Sequence, residues 1–226
     1  MNGLDLAVQH GIERYNHGNF MLLRCTQKFL TELRLKKSEI IESSAVLHPL
    51  DEWYAHVFYL YPRRKCAIFM HAKTKFCFFT YDRNRGQLTD IKGLFRKGLG
   101  RALFDEHYLA PVIKLFNEHL EDIKIGLAQD SRILGFMNQR VKEMKFMADH
   151  YPEDRRIHDE ALAGLDSRRN PMVKEKPSLA IEQMKELLFS CPELEGVDIS
   201  PAGYHHAELE KFFETLHAER NEMGER

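Results

Sequence analysis

The sequence predicts an α+β fold: a mostly antiparallel sheet flanked by helices, with a helical C-terminal part. Two observations carry this. First, Trp53-Tyr54-Ala55-His56-Val57-Phe58-Tyr59-Leu60, Cys66-Ala67-Ile68-Phe69-Met70 and Phe76-Cys77-Phe78-Phe79-Thr80-Tyr81 are rich in aromatic and β-branched residues and are separated by short polar breaks, as consecutive strands are. Second, apolar residues recur at helical spacing later in the chain: Ile91, Leu94, Phe95, Leu99, Ala102 and Leu103, then Ile133, Leu134, Met137, Val141 and Met144. Strands followed by helices, without strict alternation, are the signature of this class.

The elements follow in order. Residues 1–19 carry a weak helical pattern ending near Gly18 and read as an extension. Phe20-Met21-Leu22-Leu23-Arg24-Cys25 is a short apolar strand, and Thr26 caps a helix running to about Lys36 with Phe29, Leu30 and Leu33 on its apolar face. Residues 38–51 read as a loop. In Tyr61-Pro62-Arg63-Arg64 the proline presets the second position of a type I turn, so the aromatic strands form a hairpin. Ala72-Lys73-Thr74-Lys75 is a second tight connection, and Phe76 to Tyr81 suits a strand buried on both faces. Asp82-Arg83-Asn84-Arg85-Gly86 breaks the pattern. Helices follow at Asp90–Leu103, from Pro111 to Leu120, and from Asp130 or Ser131 to about Asp149, with a strand at Asp122–Leu127 between the last two. Residues 151–177 hold three prolines and many charges and read as a loop or a loosely packed helix; two final helices are expected over roughly 178–190 and 204–222. The expected organisation is an extension (1–19), an α+β domain (20–190) and an acidic helical segment (191–226).

Of the 226 residues, 43% are hydrophobic and 30% charged, the balance of an ordinary globular protein. No apolar run approaches the roughly 20 residues that span a bilayer, and the N-terminus lacks the pattern of a secretory signal, so a cytoplasmic protein without a membrane partner is expected. Cys25, Cys66, Cys77 and Cys191 are widely spaced with no Cys-x-x-Cys, which predicts reduced, buried thiols and no zinc ribbon. The net charge of −1 conceals a gradient. Between Tyr54 and Arg101 eleven cations oppose two anions, a net of +9; from Lys176 to Arg226 five cations oppose eleven anions, a net of −6. Either the basic part meets an anionic partner, or the acidic tail folds over it.

Met21-Leu22-Leu23-Arg24-Cys25-Thr26-Gln27-Lys28-Phe29-Leu30, Trp53-Tyr54-Ala55-His56, Arg63-Arg64-Lys65-Cys66 and Asp130-Ser131-Arg132-Ile133-Leu134-Gly135-Phe136-Met137-Asn138 recur in this order and spacing in a bacterial family, domain of unknown function 6933, which the chain resembles over about residues 21–190. A weaker echo runs from Asn170-Pro171 to Leu187-Leu188. The resemblance implies a bacterial protein but no activity. Met21 stands where such proteins begin, so residues before it are expected to be a lineage addition or Met21 to be the initiator. The segment after about Cys191 has no counterpart in the resemblance.

Arg63, Arg64 and Lys65 at the hairpin tip, with Lys73 and Lys75 if both turns share a sheet edge and with Arg24 and Lys28 at the first strand–helix junction, are the candidate anion- or nucleic-acid-binding residues. Guanidinium forks and ammonium groups suit phosphate, and neighbouring aromatics can stack bases. The plainer alternatives are a solvated turn guarding a sheet edge and, for Lys92, Arg96, Lys97 and Arg101, a solvated helix face. Arg24-Cys25-Thr26 sits where a helix N-terminus activates a thiol, but no base lies near it in sequence, and a core cysteine before a capping threonine explains it as well. The histidine groups His150, Glu153, Asp154, His158 and His205, His206, Glu208, Glu210 fit no common metal spacing, and His-Glu-x-x-His is absent. Gly93, Gly98 and Gly100 are not followed by the Lys-Ser/Thr of a phosphate loop, and the acid pairs Asp51-Glu52 and Asp159-Glu160 point to different faces in regular structure. The expectation is therefore a non-catalytic binding or regulatory module without metal or cofactor, whose partner is nucleic acid or an acidic protein. The rival readings are an enzyme acting on nucleic acid through Cys25, His56 or Arg132, and a protein–protein module. Oligomeric state is not legible from these residues.

Overall fold

A computed structural model of the chain describes residues 20–42, 47–60, 64–81, 90–108, 110–150, 164 and 179–196. The expected extension over 1–19, the turn at 61–63, most of the 151–177 loop and the helix at 204–222 lie outside the described residues.

Six strands form one sheet: β1 (Met21–Cys25), β2 (Ile40–Ile41), β3 (Glu52–Leu60), β4 (Arg64–His71), β5 (Cys77–Tyr81) and β6 (Ile123–Leu127), in the order β2-β6-β1-β3-β4-β5. Five helices are seen among the described residues: α1 (Gln27–Leu33), α2 (Ile91–Asp105), α3 (Ala110–His119), α4 (Ser131–His150) and α5 (Ala180–Phe189). The α+β class holds, but the sheet is mixed rather than mostly antiparallel. β1 runs parallel to both β3 and β6, and β2 parallel to β6; only β3–β4 and β4–β5 are antiparallel. The reason lies in the connections. Short turns return the chain antiparallel, whereas β1 leaves through α1 and β6 arrives after α2 and α3, and such longer excursions let a strand enter alongside its neighbour.

Alternation along the strands sorts the core into two layers. Met21, Leu23, Cys25, Trp53, Ala55, Val57, Phe69 and Phe78 share one apolar cluster with residues of α1, α2, α3 and α5. Tyr54, Phe58, Ile68, Met70, Phe79 and Tyr81 share the other with Ile133, Met137, Val141 and Met144 of α4. All five residues of β5 are buried, as expected of a strand covered on both faces. Trp53 anchors the first layer: its indole donates to Leu50 O at 2.9 Å and its ring sits edge-on to Phe95 and Phe76.

Helix ends follow the sequence closely. Thr26 caps α1, its hydroxyl accepting from Phe29 N at 3.4 Å. The helix stops at Leu33 rather than near Lys36, because Arg34 turns left-handed at φ 55° and its N–H closes on Thr31 O. Asp90 caps α2, accepting from Gly93 N at 2.9 Å. Asp130, not Ser131, caps α4, accepting from Arg132 N at 2.8 Å and Ile133 N at 3.3 Å.

Candidate functional site

The cationic residues singled out from sequence fall in three places. β3 and β4 pair from Trp53↔His71 to Leu60↔Arg64, so Arg64 and Lys65 stand at the hairpin end. Arg63 lies outside the described residues. Lys73 and Lys75 follow the other end of β4, about 25 Å away at a strand rise of about 3.3 Å per residue. Consecutive turns of a meander lie at opposite ends, so the two basic turns do not share an edge.

At the hairpin end, alternation sends Lys65 to the α1 side and Arg64 to the α4 side. Tyr59 is 36% exposed, and its ring carries the Lys28 ammonium at 4.9 Å and that of Lys65 at 6.0 Å. Glu32 of α1 closes the group: its carboxylate accepts from Lys65 Nζ and from Tyr59 Oη, each at 2.6 Å. Those bonds, Lys65's first, hold the Glu32 carboxyl below its usual range. Arg64 lies over Tyr81 at 5.4 Å.

Arg24 and Lys75 belong to a different, mixed-charge group under the start of α4. Arg24 Nε donates to Glu52 Oε1 at 2.5 Å. Lys75, left-handed at φ 60°, donates to Ala72 O and sets its ammonium 5.7 Å from the Phe136 ring. Burial pulls its pKa down, against Asp130 and Glu52. Burial also pushes the Tyr54 phenol up to about 12, with Glu52 adding to it. Lys73 is exposed on the turn.

Cys25 is a core thiol rather than a nucleophile. It is fully buried, burial pushes its thiol well above the usual range, and its Sγ reaches only Leu23 O at 3.8 Å. His56 lies on the other face of the sheet, 3.0 Å from the Thr26 hydroxyl, with burial and then Lys28 and Lys145 lowering it to about 4. Cys25 and His56 thus do not converge. All four cysteines are free and buried.

A group that the sequence reading did not assemble lies at the start of β3. His48 and Asp51 come from the loop before the strand, His119 ends α3, and Cys191 and Glu193 follow α5. His119 Nδ1 is 2.5 Å from Asp51 Oδ1, and the Asp51 side chain is only 2% exposed. The His48 and His119 rings meet edge-on at 4.9 Å, and His48 Nε2 is 3.7 Å from Glu193 Oε1. Donor atoms of His48, Asp51 and His119 all lie within 4.8 Å of one another, as do those of His48, Cys191 and Glu193. The Asp51 hydrogen bond raises the His119 pKa above its usual value, burial opposing it. Burial, then Glu193, pushes the Cys191 thiol up to about 11. In sequence Asp51 reads as half of an acid pair and Cys191 as a buried thiol. The sole local signal was His48-x-x-Asp51; the other donors lie some 70 to 140 residues away along the chain.

A family model described as a domain of unknown function, DUF6933, matches residues 22–179. The chain belongs to the DUF6933 family. No curated protein matches it, and no solved structure does. The DUF6933 span contains Arg24, Lys28, Arg64, Lys65, His48, Asp51 and His119, whereas Cys191 and Glu193 fall beyond it. No helix among the described residues is long and apolar enough to cross a membrane.

Proposed function

We propose that this DUF6933 protein is a non-catalytic binding module of a bacterial cytoplasm that takes single-stranded nucleic acid at the hairpin end of its sheet. The observation that supports this is the half-exposed Tyr59 ring flanked by the Lys28 and Lys65 ammonium groups. A base stacks on the Tyr59 ring once the ammonium groups now over it swing to the backbone phosphates, a sequence-tolerant mode of binding. Arg64 adds a guanidinium beside Tyr81 at the same hairpin end. Glu32 fits the scheme as an internal competitor, because its carboxylate occupies donors that a phosphate would use.

The enzyme reading draws nothing from Cys25 and His56, which face opposite sides of the sheet. An acidic protein surface remains the second class of partner, and the same titration separates the two. Fluorescence anisotropy with labelled single-stranded DNA and RNA, at low and physiological salt, is expected to show binding that weakens with salt. Two engaged cations, Lys28 and Lys65, imply a log–log slope of roughly −1.4. Lys28→Glu with Lys65→Glu should abolish binding, and Glu32→Gln should tighten it. Absence of binding at low salt, or a charge-reversed variant that binds like the parent, would sink the proposal in favour of a protein partner.

A further inference from the structure

We propose that the corner formed by His48, Asp51, His119 and Cys191 is a binding site for a divalent transition-metal ion of zinc's class. Two imidazoles, a carboxylate and a thiol form a borderline-to-soft donor set, which selects zinc over magnesium or calcium. The donors arrive from three separate parts of the fold and converge within 4.8 Å in two triads that share His48. Four ligands around a tetrahedral zinc at about 2.0–2.3 Å stand about 3.3–3.8 Å apart, so the triad that holds Asp51 and His119 and the triad that holds Cys191, joined through His48, draw together by side-chain rotation when the ion binds.

Charge points to Cys191 rather than Glu193 as the fourth ligand. Asp51 and Cys191 are buried, whereas Glu193 is exposed. A carboxylate and a thiolate cancel the two charges of the ion, leaving a neutral centre in a poorly solvated corner where an uncompensated charge is costly. Glu193 then stays at the rim. The ion takes the place of the proton between His119 Nδ1 and Asp51 Oδ1, which moves to His119 Nε2 or, from the imidazolium, leaves for solvent, and that pair opens from 2.5 Å. It also displaces the Cys191 thiol proton, now directed at Leu187 O at 3.3 Å. His48 binds through Nε2 by moving its ring proton to Nδ1, which gives up the long 3.3 Å bond from Leu50 N–H.

The corner also has a mechanical consequence. It ties the loop before β3, the end of α3 and the turn after α5, three elements with no covalent link near that point. Such a site acts as a clasp on the fold. It lies at the opposite end of β3 from Tyr59, so the nucleic-acid proposal and this one fail or stand separately.

The test uses the full chain, stripped with chelator under reducing conditions and titrated with Zn(II) and with Co(II). Expected are a single ion per chain by calorimetry, a rise in melting temperature, tetrahedral Co(II) bands in the visible and a thiolate-to-cobalt charge-transfer band in the near ultraviolet. His48→Ala and His119→Ala should weaken binding at least about 100-fold, more than the loss of an outer-shell partner. Cys191→Ser should remove the charge-transfer band. If a His→Ala variant does not fold, His119→Gln and Cys191→Ser carry the same readouts. No stoichiometric binding, binding that the histidine variants leave unchanged, or a charge-transfer band that survives Cys191→Ser overturns the proposal.

Discussion

His71 is a neutral imidazole held in one tautomer by its partners. Its Nε2–H donates to Pro49 O at 2.9 Å, and its Nδ1 accepts from Thr74 N at 3.2 Å and faces the Thr74 hydroxyl at 2.9 Å. Adding a proton at Nδ1 would set two N–H groups against each other in a fully buried site. Burial accordingly lowers its pKa from 6.5 to about 3, and that of His56 from 6.5 to about 4. The sign follows by linkage. Below pH 6.5 the unfolded chain takes up protons that the folded chain refuses, so these residues leave stability intact above that pH and erode it as pH falls toward 3. Between about pH 7 and about pH 4 the His71 contribution alone is expected to cost on the order of 3 kcal/mol. Urea midpoints across that range should fall, and His71→Gln should flatten the fall while lowering stability at neutral pH through its lost partners. A parent midpoint that is flat across the range contradicts the assignment.

At the scale of elements, α2 holds two glycines two residues apart with opposite roles. A Cβ on Gly98 would lie 2.4 Å from Phe78 Cε2 and 2.8 Å from Cδ2. That ring cannot retreat, being stacked on Phe69 at 5.0 Å and packed against Trp53 and Phe95. A Cβ on Gly100 meets nothing within 4 Å. Gly98→Ala should therefore destabilise by about 1–3 kcal/mol through overpacking, whereas Gly100→Ala should stabilise by about 0.5–1 kcal/mol through helix propensity alone. Chemical denaturation of the two variants beside the parent checks the difference in sign. The apolar spacing of Ile91, Phe95, Leu99 and Leu103 made this helix legible in sequence, and Thr26 and Asp130 made the starts of α1 and α4 legible, because caps and periodicity are local. What sequence did not convey was pairing. β1 lies between β3 and β6, whose residues stand some 30 and 100 positions further along the chain, and five apolar residues carry no mark of parallel or antiparallel neighbours.

The same limit governs the whole molecule. Arg64 and Lys65 were legible as a group because one hairpin holds them, and Lys28 was legible as a cation at the strand–helix junction, whereas Tyr59 and Glu32 joined them only through the pairing of β3 and the docking of α1. The His48 corner was invisible because only His48 and Asp51 share a stretch of chain, and only the packing of α3 and α5 against the start of β3 brings His119 and Cys191 to them. α5 therefore matters beyond its length. Ile181, Met184, Leu187, Leu188, Cys191 and Leu194 all lie in the core cluster that contains Trp53 and Phe95. The match to the DUF6933 model ends at residue 179, just before α5 begins. Family membership and cooperative core thus have different boundaries here, which a truncation can expose. Ending the chain at residue 178 strips the first layer of six buried side chains. At about 1.5–3 kcal/mol for each large apolar one, the loss rivals the entire stability of a typical domain. The truncated chain is expected to be aggregation-prone or largely unfolded, and any folded remainder should unfold in urea with a lower midpoint and a shallower slope, because less surface is left to expose. A truncated chain that keeps the parent's midpoint and slope would show that α5 is an appendage and that the cooperative unit ends where the family match does.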